Sequence, residues 1–123
     1  RWLQEEIESM LFPEFADQGL PVIDALFEKR GDGRSFWTET VESEEDSITL
    51  TWHDFVEPFM VTAPAGTVPG RAHGVYSCFL PARRAQLTIN GLVPEGNVYQ
   101  QMRGDRVSST ACVAWSETWV RPY

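Results

Sequence analysis

The chain has 123 residues, of which 42 % are hydrophobic and 23 % charged, and its formal net charge is −8. That length suits one domain, with a core that needs neither disulfide nor metal. The acidic balance excludes general binding to nucleic acid and to anionic membranes, both of which rest on Lys and Arg.

The charge is unevenly distributed. Residues 1–60 hold fifteen carboxylates against four cationic side chains, a formal charge of −11. Residues 61–123 hold six arginines against three carboxylates, or +3. No apolar run is long enough to span a bilayer. The start, Arg1-Trp2-Leu3-Gln4-Glu5-Glu6, lacks the apolar stretch and small-residue cleavage site of a signal peptide. A soluble, cytoplasmic protein is the expectation, and the absence of an initial Met is consistent with a trimmed start.

Residues 2–12 read as an amphipathic helix, with Trp2, Leu3, Ile7, Met10 and Leu11 on one stripe and Pro13 ending it. Residues 21–30 read as a second helix. Pro21 suits its first position, Lys29 and Arg30 its last turn, and Gly31 the residue after it. A strand is the alternative, because Val22 and Ile23 are β-branched. From residue 34 the period becomes two. Phe36 to Glu42, the polar turn Ser43-Glu44-Glu45-Asp46, and Ile48-Leu50-Trp52 alternating with Thr49-Thr51-His53 form a β-hairpin with an acidic tip.

Phe59 to Thr62 is a short strand, and 63–74, with two Pro and three Gly, is a loop. Val75 to Leu80 is a strand that Pro81 limits to an edge or a bend. Ala85 to Ile89 is another, closed by the turn dipeptide Asn90-Gly91. Arg106 to Val120 reads as the longest strand, with Val107, Ala111, Val113, Trp115 and Trp119 sharing a face. Helices first and strands after predict an α+β fold: one or two N-terminal helices within 1–30, packed on a curved antiparallel sheet of five or six strands over 34–120. The sheet is open to closing into a partial barrel, and its edge strands allow a homodimer.

No catalytic signature is present. There is no G-x-S-x-G elbow and no phosphate loop, and Gly31-Asp32-Gly33-Arg34 is a turn. His53 beside Asp54 is a candidate acid–base pair, although neighbours on a strand point to opposite faces. His73, in the Pro/Gly loop, is a third candidate. These three could in principle ligate a metal, but no ligand spacing supports one. No metal or cofactor is expected. Cys78 and Cys112 form no close pair and read as buried thiols more readily than as a disulfide.

Two readings of function follow. In the first, the chain is a small acidic interaction or inhibitor-type protein. Its hairpin carries Glu39, Glu42, Glu44, Glu45, Asp46, Asp54 and Glu57 with no Lys or Arg between them, and this surface meets a basic protein. In the second, it is a metal-independent enzyme of isomerase, cyclase or dehydratase type, or a carrier. An apolar small molecule would then sit in a cavity lined by Trp37, Trp52, Tyr76, Trp115 and Trp119. Arg84 would hold an anion, and His53, Asp54 or His73 would move a proton.

Overall fold

The computed structural model describes residues 6, 7, 10, 12, 13 and 22–123. Eight strands follow in order: β1 (Leu26–Gly31), β2 (Phe36–Glu42), β3 (Ser47–Phe55), β4 (Phe59–Ala63), β5 (Gly74–Ile89), β6 (Gln100–Arg103), β7 (Arg106–Ser109) and β8 (Cys112–Val120). All pairings are antiparallel. One six-stranded sheet runs β1-β2-β3-β5-β4 with β8 also on β5, and β6-β7 form a separate hairpin.

The expected α+β class is therefore wrong, since every named element among the described residues is a strand. The first expected helix, 2–12, lies outside the described residues apart from Glu6, Ile7, Met10 and Phe12. The second, 21–30, is overturned. Leu26 to Gly31 pair residue by residue with Glu42 to Trp37, so cross-strand partners outweigh helix-like spacing. Gly31 is not a helix-terminal residue. It ends β1 at φ 138°, where a Cβ would stand 2.5 Å from the Phe36 carbonyl oxygen.

The turn from β1 to β2 is organised by Asp32. Its carboxylate accepts hydrogen bonds from the backbone N–H groups of Arg34 (2.8 Å), Ser35 (2.8 Å) and Phe36 (3.2 Å), and from the Ser35 hydroxyl. These bonds, the Ser35 hydroxyl first, hold the Asp32 carboxyl far below its ordinary value of 3.8. A lowered folded-state value means that this stabilisation is complete above the unfolded value. It is lost as pH falls below 3.8 toward the folded one. Asp32→Asn should therefore lower the thermal midpoint at neutral pH, and its deficit against wild type should shrink steadily on acidification. A deficit that does not change with pH contradicts this account.

β5 is one strand, not the two expected, and it passes straight through Pro81. Proline is tolerated there because the flanking strands change over at that point. On one edge β4 pairs with Val75–Phe79 and β3 with Ala82–Ile89. Val56 N–H bridges the changeover by donating to the Pro81 carbonyl at 2.9 Å. On the other edge β8 begins at Cys112, opposite Pro81, and Ala82 N–H donates to Ala111. Leu80 and Ala82, Val113 opposite Leu80 and Phe59 opposite Phe79 are buried apolar side chains at this changeover, and Val75 and Ile7 are buried as well.

The expected long strand Arg106–Val120 is interrupted at Thr110–Ala111. It also contains a β-bulge. Ala114 pairs with Phe79 and Ser116 with Cys78, so Trp115 is the extra residue. The bulge breaks the expected common face, because Val113 pairs with Leu80 and Trp119 with Val75, residues of opposite parity on an unbroken strand. It also aims Trp115 across the sheet to meet Trp37 edge-on, with centroids 4.8 Å apart. The Trp115 ring thus reaches the β1–β2 turn, where it also lies against Gly33. The cysteines are free and half-buried.

Candidate functional site

Residues directly opposite in an antiparallel sheet share a face, so the register sorts the β1-β2-β3-β5 layer. One face carries rows of polar side chains: Glu28-Thr40-Thr49-Thr88 and Arg30-Thr38-Thr51-Gln86. The other carries Trp37-Trp52-Ala85 and the row Phe27-Val41-Ile48-Ile89, which the Ile89–Leu92 bridge extends by one residue. Phe27 is 66 % exposed and Leu92 74 %, so this apolar row faces outward at the hairpin end.

That end is held together by Asn90. Its Oδ1 accepts from Ser47 N–H at 2.7 Å, and its Nδ2 donates to Asp46 Oδ1 at 3.0 Å. The Asn90-Gly91 turn is thereby locked against the acidic tip. A cleft of about 400 Å³ lies between Ile23-Asp24 and Ser43-Glu44-Glu45-Asp46.

The seven carboxylates of the hairpin divide into two sets. Glu39 accepts from Trp37 Nε1 (3.0 Å) and meets Lys29 Nζ at 3.4 Å. Glu42 accepts from the Ser47 hydroxyl, Asp46 from Asn90, and Asp54 from Arg84. Glu44, Glu45 and Glu57 make no ion pair among the described residues. None of the tip carboxylates is matched by Arg83, Arg84 or Arg106. The two charged halves of the chain meet instead at Asp54–Arg84 and at Glu6–Arg121 (2.8 Å).

Of the proposed acid–base residues, Asp54 and His73 each meet another charged side chain. Asp54 adopts φ 58°, which breaks strand alternation and lets its carboxylate reach Arg84 Nε at 2.7 Å. That hydrogen bond, aided by the charges of Arg84, His53 and Arg83, lowers the Asp54 carboxyl below its ordinary value and makes it a weaker base. His73 instead meets Glu6 at 3.1 Å, in a cluster completed by Arg121. Arg121 first, then His73, lowers the Glu6 carboxyl. Among the described residues no three of His, Cys, Asp and Glu are placed to hold a metal ion.

The aromatic set also divides. Trp37, Trp52 and Trp115 gather on the apolar face. Trp119 donates to Glu117 and lies under Arg71, while Tyr76 sits between Thr62 and Thr118. Of the five, Trp52 alone lines a groove beside Val93–Val98. This is a half-open space of about 360 Å³, floored by Leu50, Trp52, Ala85 and Leu87 and walled by Val93–Val98.

Sequence reading identified the acidic tip and the Ile48-Leu50-Trp52 face. It missed Phe27, Ile89 and Leu92 as their neighbours. Alternation places each on a face, but only the register aligns them in one row. Among the described residues no helix is long and apolar enough to cross a membrane. Compared with protein-family models, curated proteins and solved structures, the chain matches none.

Proposed function

We propose that the chain is a non-catalytic interaction protein that docks a basic protein partner on the hairpin end of its sheet. The observation that carries this reading is the apolar row Phe27-Val41-Ile48-Ile89-Leu92, exposed at Phe27, Ile89 and Leu92 and half-buried between, beside carboxylates left without an ion pair, Glu44 and Glu45. Uncompensated charge steers a cationic surface to the tip, and apolar area retains it. The cleft of Ile23, Asp24 and the tip suits a Lys or Arg side chain, whose stem packs on Ile23 while its head meets the carboxylates.

The test is titration against a panel of small proteins of isoelectric point above about 9, at about 0.01 M and about 1 M salt, where the screening length falls from about 30 Å to about 3 Å. The binders should be strongly salt-sensitive and should be lost with Glu44→Lys/Glu45→Lys. Leu92→Ser, which leaves the charge unchanged, should weaken them about tenfold through lost apolar burial. Association that follows net charge alone, indifferent to Leu92→Ser, contradicts a defined docking surface.

One observation favours a second reading, a carrier of a small apolar ligand: the groove over Leu50, Trp52 and Leu87. Half-open and bordered by a single carboxylate, Glu95, it supports binding better than catalysis. Displacement of an apolar dye that Trp52→Ala abolishes, and that the tip substitutions leave intact, would favour this reading.

A further inference from the structure

We propose that β1 is a self-association edge, through which two copies of this chain join into one continuous antiparallel sheet. All six residues of β1 are exposed, and among the described residues β1 pairs only with β2. Its outer backbone N–H and C=O groups are therefore a template for another strand.

The sequence of β1 selects a second copy as that strand. In an antiparallel ladder, opposed residues are either both hydrogen-bonded or both not. Two identical edges related by a two-fold axis can therefore oppose only residues of the same parity. The registers of greatest overlap are then two. One puts Glu28 against Glu28 of the second copy at the axis and is repulsive. The other puts Glu28 against Arg30 and Arg30 against Glu28, two opposite-charge pairs on one face. It also lays Phe27 over Gly31, an aromatic covering an edge glycine. Its cost is Lys29 against Lys29 at the axis. Each of these lysines is drawn toward Glu39 of its own sheet at 3.4 Å, which moderates the repulsion. The contact is short, so the dimer is weak and reversible.

The inference rests on β1 alone and not on the docking reading, whose test residues lie on other segments. Sedimentation equilibrium of the whole chain at up to about 100 µM, a range that captures weak association, should give a monomer–dimer equilibrium. Glu28→Arg and Arg30→Glu should each weaken it about tenfold, since each makes two like-charge pairs. The double exchange should restore it to near the wild-type value. Net charge alone predicts otherwise: Glu28→Arg makes the chain less acidic and would strengthen association, whereas Arg30→Glu would weaken it. Both positions are exposed, and circular dichroism of each variant verifies its fold. A wild-type chain that stays monomeric, single variants that still dimerise, or a double exchange that fails to recover each overturns the proposal.

Discussion

Gly31→Ala should destabilise the fold by about 3 kcal/mol, although only one methyl group is added. Gly31 adopts φ 138°, a conformation that L side chains rarely reach. A Cβ there would meet the Phe36 carbonyl oxygen at 2.5 Å and Trp37 Cα at 2.9 Å. Both obstacles are backbone atoms of the paired strand, so no rotamer change relieves them. Relief requires β1 to separate from β2 at the Asp32 turn. The control is Gly66→Ala, where φ is 75° but no atom lies within 4 Å. That change carries only the conformational penalty, about 1–2 kcal/mol. Urea denaturation of both variants decides the matter. Equal losses would mean that the β1–β2 approach is looser than its geometry states.

The same glycine marks where sequence reading went astray. Lys29-Arg30-Gly31 after an apolar stripe fits a helix end, and it fits equally well a strand that stops at a tight turn. Local pattern does not separate the two. What separates them is the partner strand, with Phe27 opposite Val41 and Lys29 opposite Glu39, and those pairings are unknown until the register is known. The hairpin was legible because its alternation is clean over both arms and its tip is polar. Pro81 was read as confining its strand to an edge or a bend, whereas β5 runs on through it, exchanging β4 for β3 along one edge while the pairing with β8 stops along the other. The bulge at Trp115 left no mark in the sequence. A one-residue insertion in a ladder changes no composition, yet it reverses which of Val113 and Trp119 share a face.

The candidate site was legible to a similar degree. Carboxylates can be counted from the sequence, so the acidic tip stood out. Whether each is already paired depends on distances: Asp54 is held by Arg84, and Glu39 by Trp37 and Lys29. The proton-moving set was proposed from chain proximity and loop position. The structure ties His73 to Glu6 instead, a residue 67 positions earlier in the chain. The apolar row beside the tip combines residues from four segments, and only strand pairing brings them together.

Leu80→Ala should cost about 3 kcal/mol and lower stability without altering the docking surface. Leu80 is 5 % exposed and lies opposite Val113, next to Pro81 and to Ala82, which is fully buried. Truncating it leaves a cavity that its neighbours cannot close, because Pro81 and Ala82 belong to a strand paired along both edges and Val113 is held in register against it. The buried apolar side chains among the described residues are few, and Leu80, Ala82 and Val113 lie together at Pro81, so one side chain there accounts for a large share of total stability. Leu26→Ala is the contrast. At 76 % exposure its truncation should change stability by less than about 0.5 kcal/mol. Since β5 runs through both the Pro81 changeover and the hairpin end, the loss at Leu80 should appear as one transition seen alike by tryptophan fluorescence and far-ultraviolet circular dichroism. Two separated transitions would mean that the hairpin end folds without the Pro81 region. A loss under about 1 kcal/mol would mean that the site collapses around the smaller side chain. With folding intact, Leu80→Ala should bind a cationic partner as wild type does. Leu92→Ser should do the reverse, keeping the stability and weakening partner binding, because the buried side chains at Pro81 and the apolar row at the tip share β5 but no side chain.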